Sequence, residues 1–225
     1  MSDAHPGSLS SLSDMRVRIT TQIEPLLKRS AELGFLGRMP IAEQIDHSLG
    51  FVAAAEWALG RRPTAVVDLG SGGGVPGIIL VVCWPAARLV LMDANERRTD
   101  FLSEVMTGAG LSGQVEVVRA RAEEMGRSGE FRTTFDLVTS RSFGAPAVTA
   151  ECGAGLLTFG GAMVVSEPPE GEDRWSPDGL LPLGLVPSGR LRFADRFGYE
   201  VLRKEGPTAD RYPRRTGIPS KRPLF

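Results

Sequence analysis

The residues best placed to do chemistry lie between Val66 and Gly77. Asp68 precedes glycines at 70, 72 and 74, and Val75-Pro76-Gly77 follows. Ala65 to Val67 reads as a short buried strand and Ile78 to Val82 as the body of a helix. The glycines therefore form the tight turn between them. Glycine reaches positive φ at little cost and lets a ligand come close to the backbone. The helix start beyond it offers free N–H groups and a positive dipole end. Strand, glycine turn and helix in this order cradle a nucleotide in a doubly wound sheet. The dinucleotide spacing G-x-G-x-x-G fails from Gly70, because its third position is Val75, and fits Gly72, Gly74 and Gly77 only by chance. That disfavours a nicotinamide dehydrogenase.

Three further groups could complete such a site. Asp93 ends the apolar run Arg88 to Met92, 25 residues beyond Asp68. An acid at the end of the second strand accepts hydrogen bonds from ribose hydroxyls; its other possible task is to cap the helix that runs on to Met106. A third strand, Val115 to Val118, leads into the polar turn Arg119 to Met125, which either faces a base or starts a solvated helix. A fourth strand, Phe135 to Thr139, is followed by Ser140-Arg141-Ser142-Phe143, which puts Arg141 where cofactor and substrate would meet. The end of the chain, from Arg211 to Phe225, carries five Lys or Arg and no acid. With little helix or strand propensity, it reads as a stiff, extended segment, either solvated or in contact with phosphates.

The elements that must hold these groups follow from periodicity. Met15 to Leu36 is apolar at helical spacing but interrupted by Pro25, so two short helices are expected. Ile41 to Leu59 is a longer helix, with Ile41, Ile45, Leu49, Val52, Ala55 and Leu59 on one face. Residues 1–60 are expected to form an N-terminal helical extension packed on the core and capping one edge of the sheet, and residues 61–225 the main domain with its basic tail. Residues 1 to about 12 are expected to be disordered. Pro146 to Phe159 reads as a helix, Ala162 to Val165 as a fifth strand, and Glu167 to Pro187 as a long surface loop. Leu191 to Phe193 and Tyr199 to Lys204 read as a closing hairpin. The fold class is α/β with a doubly wound sheet.

Composition bounds the function. A chain of 225 residues with 42% hydrophobic and 24% charged residues suits one good-sized domain. A net charge of −1 means that any nucleic-acid site must be local. Cys83 and Cys152 lie far apart among small and apolar residues and read as buried packing in a reducing cytosol. With His5 and His47 the only histidines, no metal site is visible. No signal pattern opens the chain, and the apolar run Val75 to Trp84 is too short to span a bilayer. A cytoplasmic monomer without metal is expected.

The pattern D-x-G-x-G-x-G at Asp68 to Gly74 resembles the first motif of class I S-adenosylmethionine methyltransferases. Three segments together resemble one family: Asp68 to Ile78, Thr139-Ser140-Arg141-Ser142-Phe143, and Tyr212-Pro213-Arg214-Arg215-Thr216-Gly217-Ile218-Pro219-Ser220-Lys221-Arg222-Pro223-Leu224. These resemble the bacterial small-subunit ribosomal RNA guanine-N7 methyltransferases, also called glucose-inhibited division protein B. The resemblance runs from about residue 45 to the end. It implies a Rossmann-like fold and S-adenosylmethionine as cofactor. It assigns cofactor contacts to Gly70, Val75, Ala122, Glu123 and Arg141, the last also at the methyl-transfer centre; the glycine turn and the second strand add Gly72, Gly74 and Asp93 from the residue reading above. It assigns RNA contacts to Arg214, Arg215, Lys221 and Arg222, with ribosomal RNA or the small subunit as partner. His47-Ser48-Leu49 partly resembles the family's His-x-x-Asp-Ser-Leu segment. The family's Trp-Asn and Asn-Leu-Thr segments are missing from Leu33 to Ala42, and Ser166-Glu167-Pro168-Pro169 replaces its Lys-Gly.

Guanine N7 carries a free lone pair, so a site without an evident general base fits this chemistry. Exocyclic adenine methylation would call for Asn/Asp-Pro-Pro-Tyr/Phe after the fourth strand. Cytosine C5 methylation would call for a cysteine nucleophile at the site. The remaining readings are a methyltransferase of another RNA or a small metabolite, and a non-catalytic RNA-binding relative.

Overall fold

The computed structural model describes residue 17 and residues 19–171 and 174–225. The expected disordered segment 1–12 and the helix start at Met15 lie outside them.

Seven strands form one sheet: β1 (Ala65–Leu69), β2 (Arg88–Asp93), β3 (Val115–Arg119), β4 (Phe135–Ser140), β5 (Leu157–Glu167), β6 (Leu185–Phe193) and β7 (Phe197–Lys204). Their order is β3-β2-β1-β4-β5-β7-β6. β1 to β5 run parallel, and β7 runs against both its neighbours. The order reverses between β1 and β4, so their carboxyl ends open the crevice where ligands bind in such sheets. The central strands are buried and mainly apolar because helices cover both faces. Alternate residues of β1 serve opposite cores: Val66 packs with Ile45, Leu49 and Ile78, and Val67 and Leu69 pack with Ala150, Leu157 and Leu180.

The helices are α1 (Glu24–Glu32), α2 (Ile41–Leu59), α3 (Gly77–Cys83), α4 (Glu96–Gly108), α5 (Ala122–Met125), α6 (Pro146–Ala154), α7 (Pro177–Leu180) and α8 (Ile218–Lys221). No described helix is long and apolar enough to cross a membrane. α1 starts beside Pro25, and residues 19–22 form a helical turn before it, as two short helices require. α2 ends at Gly60 in the left-handed region, the usual residue for that terminus.

Four expectations need correction. The N-terminal helices do not cap a sheet edge: α2 lies on the face over β5, β7 and β6, where Tyr199 Oη donates to the His47 carbonyl at 2.6 Å. α6 stops at Ala154, and Leu157 already belongs to β5. Gly153 and Gly155 weaken the helix there, and the neighbouring strand offers β5 a full ladder. The stretch from Glu167 to Pro187 is not one loop, because α7, a 3-10 turn at Leu181–Leu183 and the start of β6 fall inside it. The tail is not extended either: Tyr212, Pro213 and Pro219 are buried, and α8 forms within it.

Candidate functional site

The glycine turn is held open by its own strand. Asp68 is buried. One oxygen accepts from Thr139 Oγ1 of β4 at 2.8 Å, the other from the Gly77 N–H at the start of α3 at 3.1 Å. Burial pushes its pKa from 3.8 up to about 6, and these neutral donors oppose the rise only in part. A Cβ on Gly77 would fall 2.7 Å from that carboxylate, which is why a glycine must stand there. Gly70 has φ +73°, and a Cβ on it would fall 2.7 Å from Phe143, so the turn and the segment after β4 close on each other.

Asp93 stands at the end of β2 and is buried. One of its oxygens accepts from the Gly72 N–H at 2.9 Å and the other from the Asn95 N–H at 2.8 Å. Asn95 rather than Asp93 caps α4, accepting from the Arg98 N–H. Arg98 approaches Asp93 at 3.6 Å. Each Asp93 oxygen keeps a lone pair for a further donor.

A cavity of about 430 Å³ opens beside Asp93. Gly70, Met92, Asp93 and Ala94 line one side, and Ala120, Ala122 and Glu123 line the other. Ser142 to Ala145, Val148 and Cys152 close its end. Cys152 is fully buried, as expected, and lies in this wall. Burial and the nearby Glu123 and Glu151 push its thiol pKa up, so it stays protonated and is no nucleophile. Glu123 is buried and accepts from the Gly217 N–H at 2.8 Å.

A second cavity, about 280 Å³, lies across the glycine turn. It shares Gly70, Arg98 and Ser142 with the first and adds Phe35, Leu36, Gln44, Gly72, Gly73, Val75 and Arg141. Ser30 Oγ donates to the Gly73 carbonyl at 2.8 Å, so the N-terminal extension supplies part of this wall. Two polar atoms here are buried and unpartnered: Nη1 of Arg141 and Oε1 of Gln44. The Arg141 pKa is lowered by burial, with Asp68 opposing that shift. His47 stacks on Phe197 at 4.7 Å, and burial with the Arg141 charge lowers its pKa to about 3. It is neutral and a very weak base at pH 7.

The sequence-derived residues thus meet at one crevice: Gly70, Gly72, Val75, Asp93, Ala122, Glu123 and Arg141 all line one cavity or the other. Gly74 does not line either; its φ of +98° turns the chain into α3. Arg214 stands apart, with its guanidinium on Glu151. Arg215, Lys221 and Arg222 are exposed. Glu167, which replaces the expected basic residue, is buried against Arg174 at 2.5 Å. Sequence reasoning missed Gln44, Phe143, Glu151 and Ser220. Phe143 and Ser220 lie within the motifs that carried the resemblance, and Gln44 and Glu151 left no signal of their own. Among the described residues no cluster of His, Cys, Asp or Glu could hold a metal.

S-Adenosylmethionine fits these groups. The larger cavity has the apolar walls an adenine needs and an acid for a ribose diol. The smaller presents a buried acceptor on Gln44, which complements an ammonium, and a buried donor on Arg141.

Known proteins agree with this architecture. A family model described as rRNA small subunit methyltransferase G matches residues 23–174. The ribosomal RNA small subunit methyltransferase G of Rubrobacter xylanophilus is 36% identical over 197 residues, covering 83% of this chain and 75% of that protein. Its counterpart in Syntrophomonas wolfei is 29% identical over 222 residues, covering 93% and 100%. Among solved structures, cofactor-bound Rv0187 from MTB superposes with a TM-score of 0.58 at 17% identity, covering 89% of this chain and all of that one. The S-adenosylmethionine-dependent methyltransferase SibL superposes with a TM-score of 0.57 at 15% identity, covering 88% and 74%. Both share the fold.

Proposed function

The chain belongs to the rRNA small subunit methyltransferase G family, and from that premise we propose how its residues do the work. It is an S-adenosylmethionine-dependent methyltransferase, and its target is N7 of a guanine in 16S ribosomal RNA. In this reading it acts in the cytoplasm as a monomer with no resident metal.

When bound, S-adenosylmethionine supplies an electrophilic methyl group. The chain's own residues bind and orient. Asp93 accepts the ribose hydroxyls, with its carboxylate already fixed by the Gly72 and Asn95 amides. Ala122 and Glu123 flank the adenine, and the Gly70 to Val75 turn and Gln44 hold the methionine end. Guanine N7 needs no deprotonation, so the weak basicity of His47 is no obstacle. What remains is in-line placement of the acceptor, and orientation of this kind supplies up to roughly 7–11 kcal/mol of a barrier.

The observation that carries this reading is Arg141. It follows β4 at the switch point, its Nη1 is buried with no partner, and it lines the cavity that adjoins the adenosine end. An unpartnered buried donor costs stability unless a ligand takes it. We assign it to the methyl-transfer centre, where it holds the guanine or its phosphate against the methionine end. Arg215, Lys221 and Arg222 carry the RNA backbone.

The test is mass spectrometry of 16S nucleosides from a strain lacking the gene. One 7-methylguanosine should disappear and return with the wild-type gene. Arg141→Ala, assayed in vitro with cofactor binding checked, should lower turnover by about 10²–10³-fold. Unchanged 7-methylguanosine in the deletion strain sinks the function; unchanged turnover in the variant sinks the role.

A further inference from the structure

The C-terminal tail is seated on the cavity by contacts that a solvated, RNA-facing segment would not need. Arg214 donates through Nε and Nη2 to the two oxygens of Glu151, at 2.8 and 2.6 Å, and its own N–H donates to Glu151 at 2.7 Å. Glu151 is fully buried in α6, one turn from Val148 and next to Cys152, and both of these line the larger cavity. Three residues on from Arg214, the Gly217 N–H donates to Glu123, itself a wall residue. Thr216 Oγ1 donates to Glu124 at 3.2 Å. Behind the tail, Arg127 and Arg132 donate to the carbonyls of Pro213 and Tyr212, each at 2.9 Å. Gly126 leaves room for the Pro213 ring, since a Cβ there would fall 2.9 Å from it. Ser220, in α8, lines the cavity directly.

We propose that the tail from Tyr212 to Ser220 is a wall of the cofactor cavity at its adenosine end, and that Glu151 and Arg214 are positioning residues that hold it there. The proposal rests on the reading of that cavity as the S-adenosylmethionine site. Glu123 is the link: its carboxylate is fixed by the tail and its position shapes the cavity. Releasing the tail frees Glu123 and opens the adenosine end to water. The cations that face outward, Arg215, Lys221 and Arg222, remain available to RNA on the tail's other side.

Two variants test the wall. Glu151→Leu with Arg214→Met removes both charges together and leaves no orphan carboxylate. Ser220→Trp keeps every tether and intrudes on the cavity. Calorimetry with S-adenosylhomocysteine reads cofactor-site affinity without RNA or turnover. Each variant should raise its Kd by about tenfold or more, with cooperative melting retained. The KM for S-adenosylmethionine should rise more than kcat falls, and the KM for RNA should stay within about twofold. A wild-type Kd in both variants overturns the wall while leaving the function standing. A rise in the RNA KM alone would return Arg214 to the RNA-contacting set and also overturn it. Wild-type protein with no affinity for S-adenosylhomocysteine overturns the functional reading and the wall with it.

Discussion

Asp68 and Glu151 are both buried carboxylates, and each tethers one side of the same crevice. They do so by opposite means. Asp68 holds the glycine turn with neutral donors, Thr139 Oγ1 and the Gly77 N–H. Glu151 holds the tail with a bidentate arginine and a backbone amide. Sequence distance does not decide the choice: Asp68 reaches Thr139 across 71 residues, and Glu151 reaches Arg214 across 63. The donors differ. A bidentate guanidinium on Glu151 adds a positive charge and a fixed fork geometry to the tie, and a hydroxyl and an amide on Asp68 add neither.

The largest effect should come from breaking that tie on one side only. Arg214→Ala leaves Glu151 buried and uncompensated, which destabilises folded proteins by about 3–5 kcal/mol. Chemical denaturation should show a loss of this size, and replacing Glu151 by Leu in the same chain should restore most of it. A loss under about 1 kcal/mol, the range of exposed pairs, would make the two tethers equivalent and break the comparison.

The next effect belongs to Asp68 and depends on pH. Burial raises its pKa from 3.8 in the unfolded chain to about 6 in the fold. The folded state binds this proton more tightly, so the contribution to stability is fully present below pH 3.8 and is lost as pH rises through 6. Relative to Asp68→Asn, which does not titrate, wild-type stability should fall by roughly 2–3 kcal/mol between about pH 4 and pH 7. Paired urea titrations across that window measure it. A flat difference would mean that the neutral donors offset burial completely.

The same contrast explains what could be read from sequence. The glycine turn is local: the strand, the three glycines, Asp68 and the second acid Asp93 sit within one β-α-β unit, and their spacing is set by the backbone they must build. Parallel strands announced themselves as apolar runs for the same reason, and Arg141 was placed by the strand it follows. Glu151 carried no signal, because an acid within a helical run ordinarily faces water; its meaning lies in Arg214, far along the chain. The tail looked extended because α8 is a single turn, fixed by tertiary contacts rather than propensity. Leu157 to Phe159 followed a helix in sequence and became strand because β4 had an unpaired edge. Gln44 and the unpartnered Arg141 donor became visible only when α2 was seen to fold over the turn.

The smallest structural effect is the sharpest discriminator. Arg214 and Arg215 are neighbours of the same chemistry, yet one is locked on Glu151 and the other is exposed. If position decides their roles, Arg215→Ala should change stability by less than about 0.5 kcal/mol. It should nevertheless weaken RNA binding, because an arginine that neutralises a phosphate releases a counterion. Fluorescence anisotropy with a 16S-derived stem-loop at several salt concentrations should give a log–log slope shallower by about one for Arg215→Ala. Arg214→Met in the Glu151→Leu background should leave that slope unchanged. Equal slopes for both would place the two arginines in one phosphate-contacting surface, and the tail would then have no face of its own turned to the cavity.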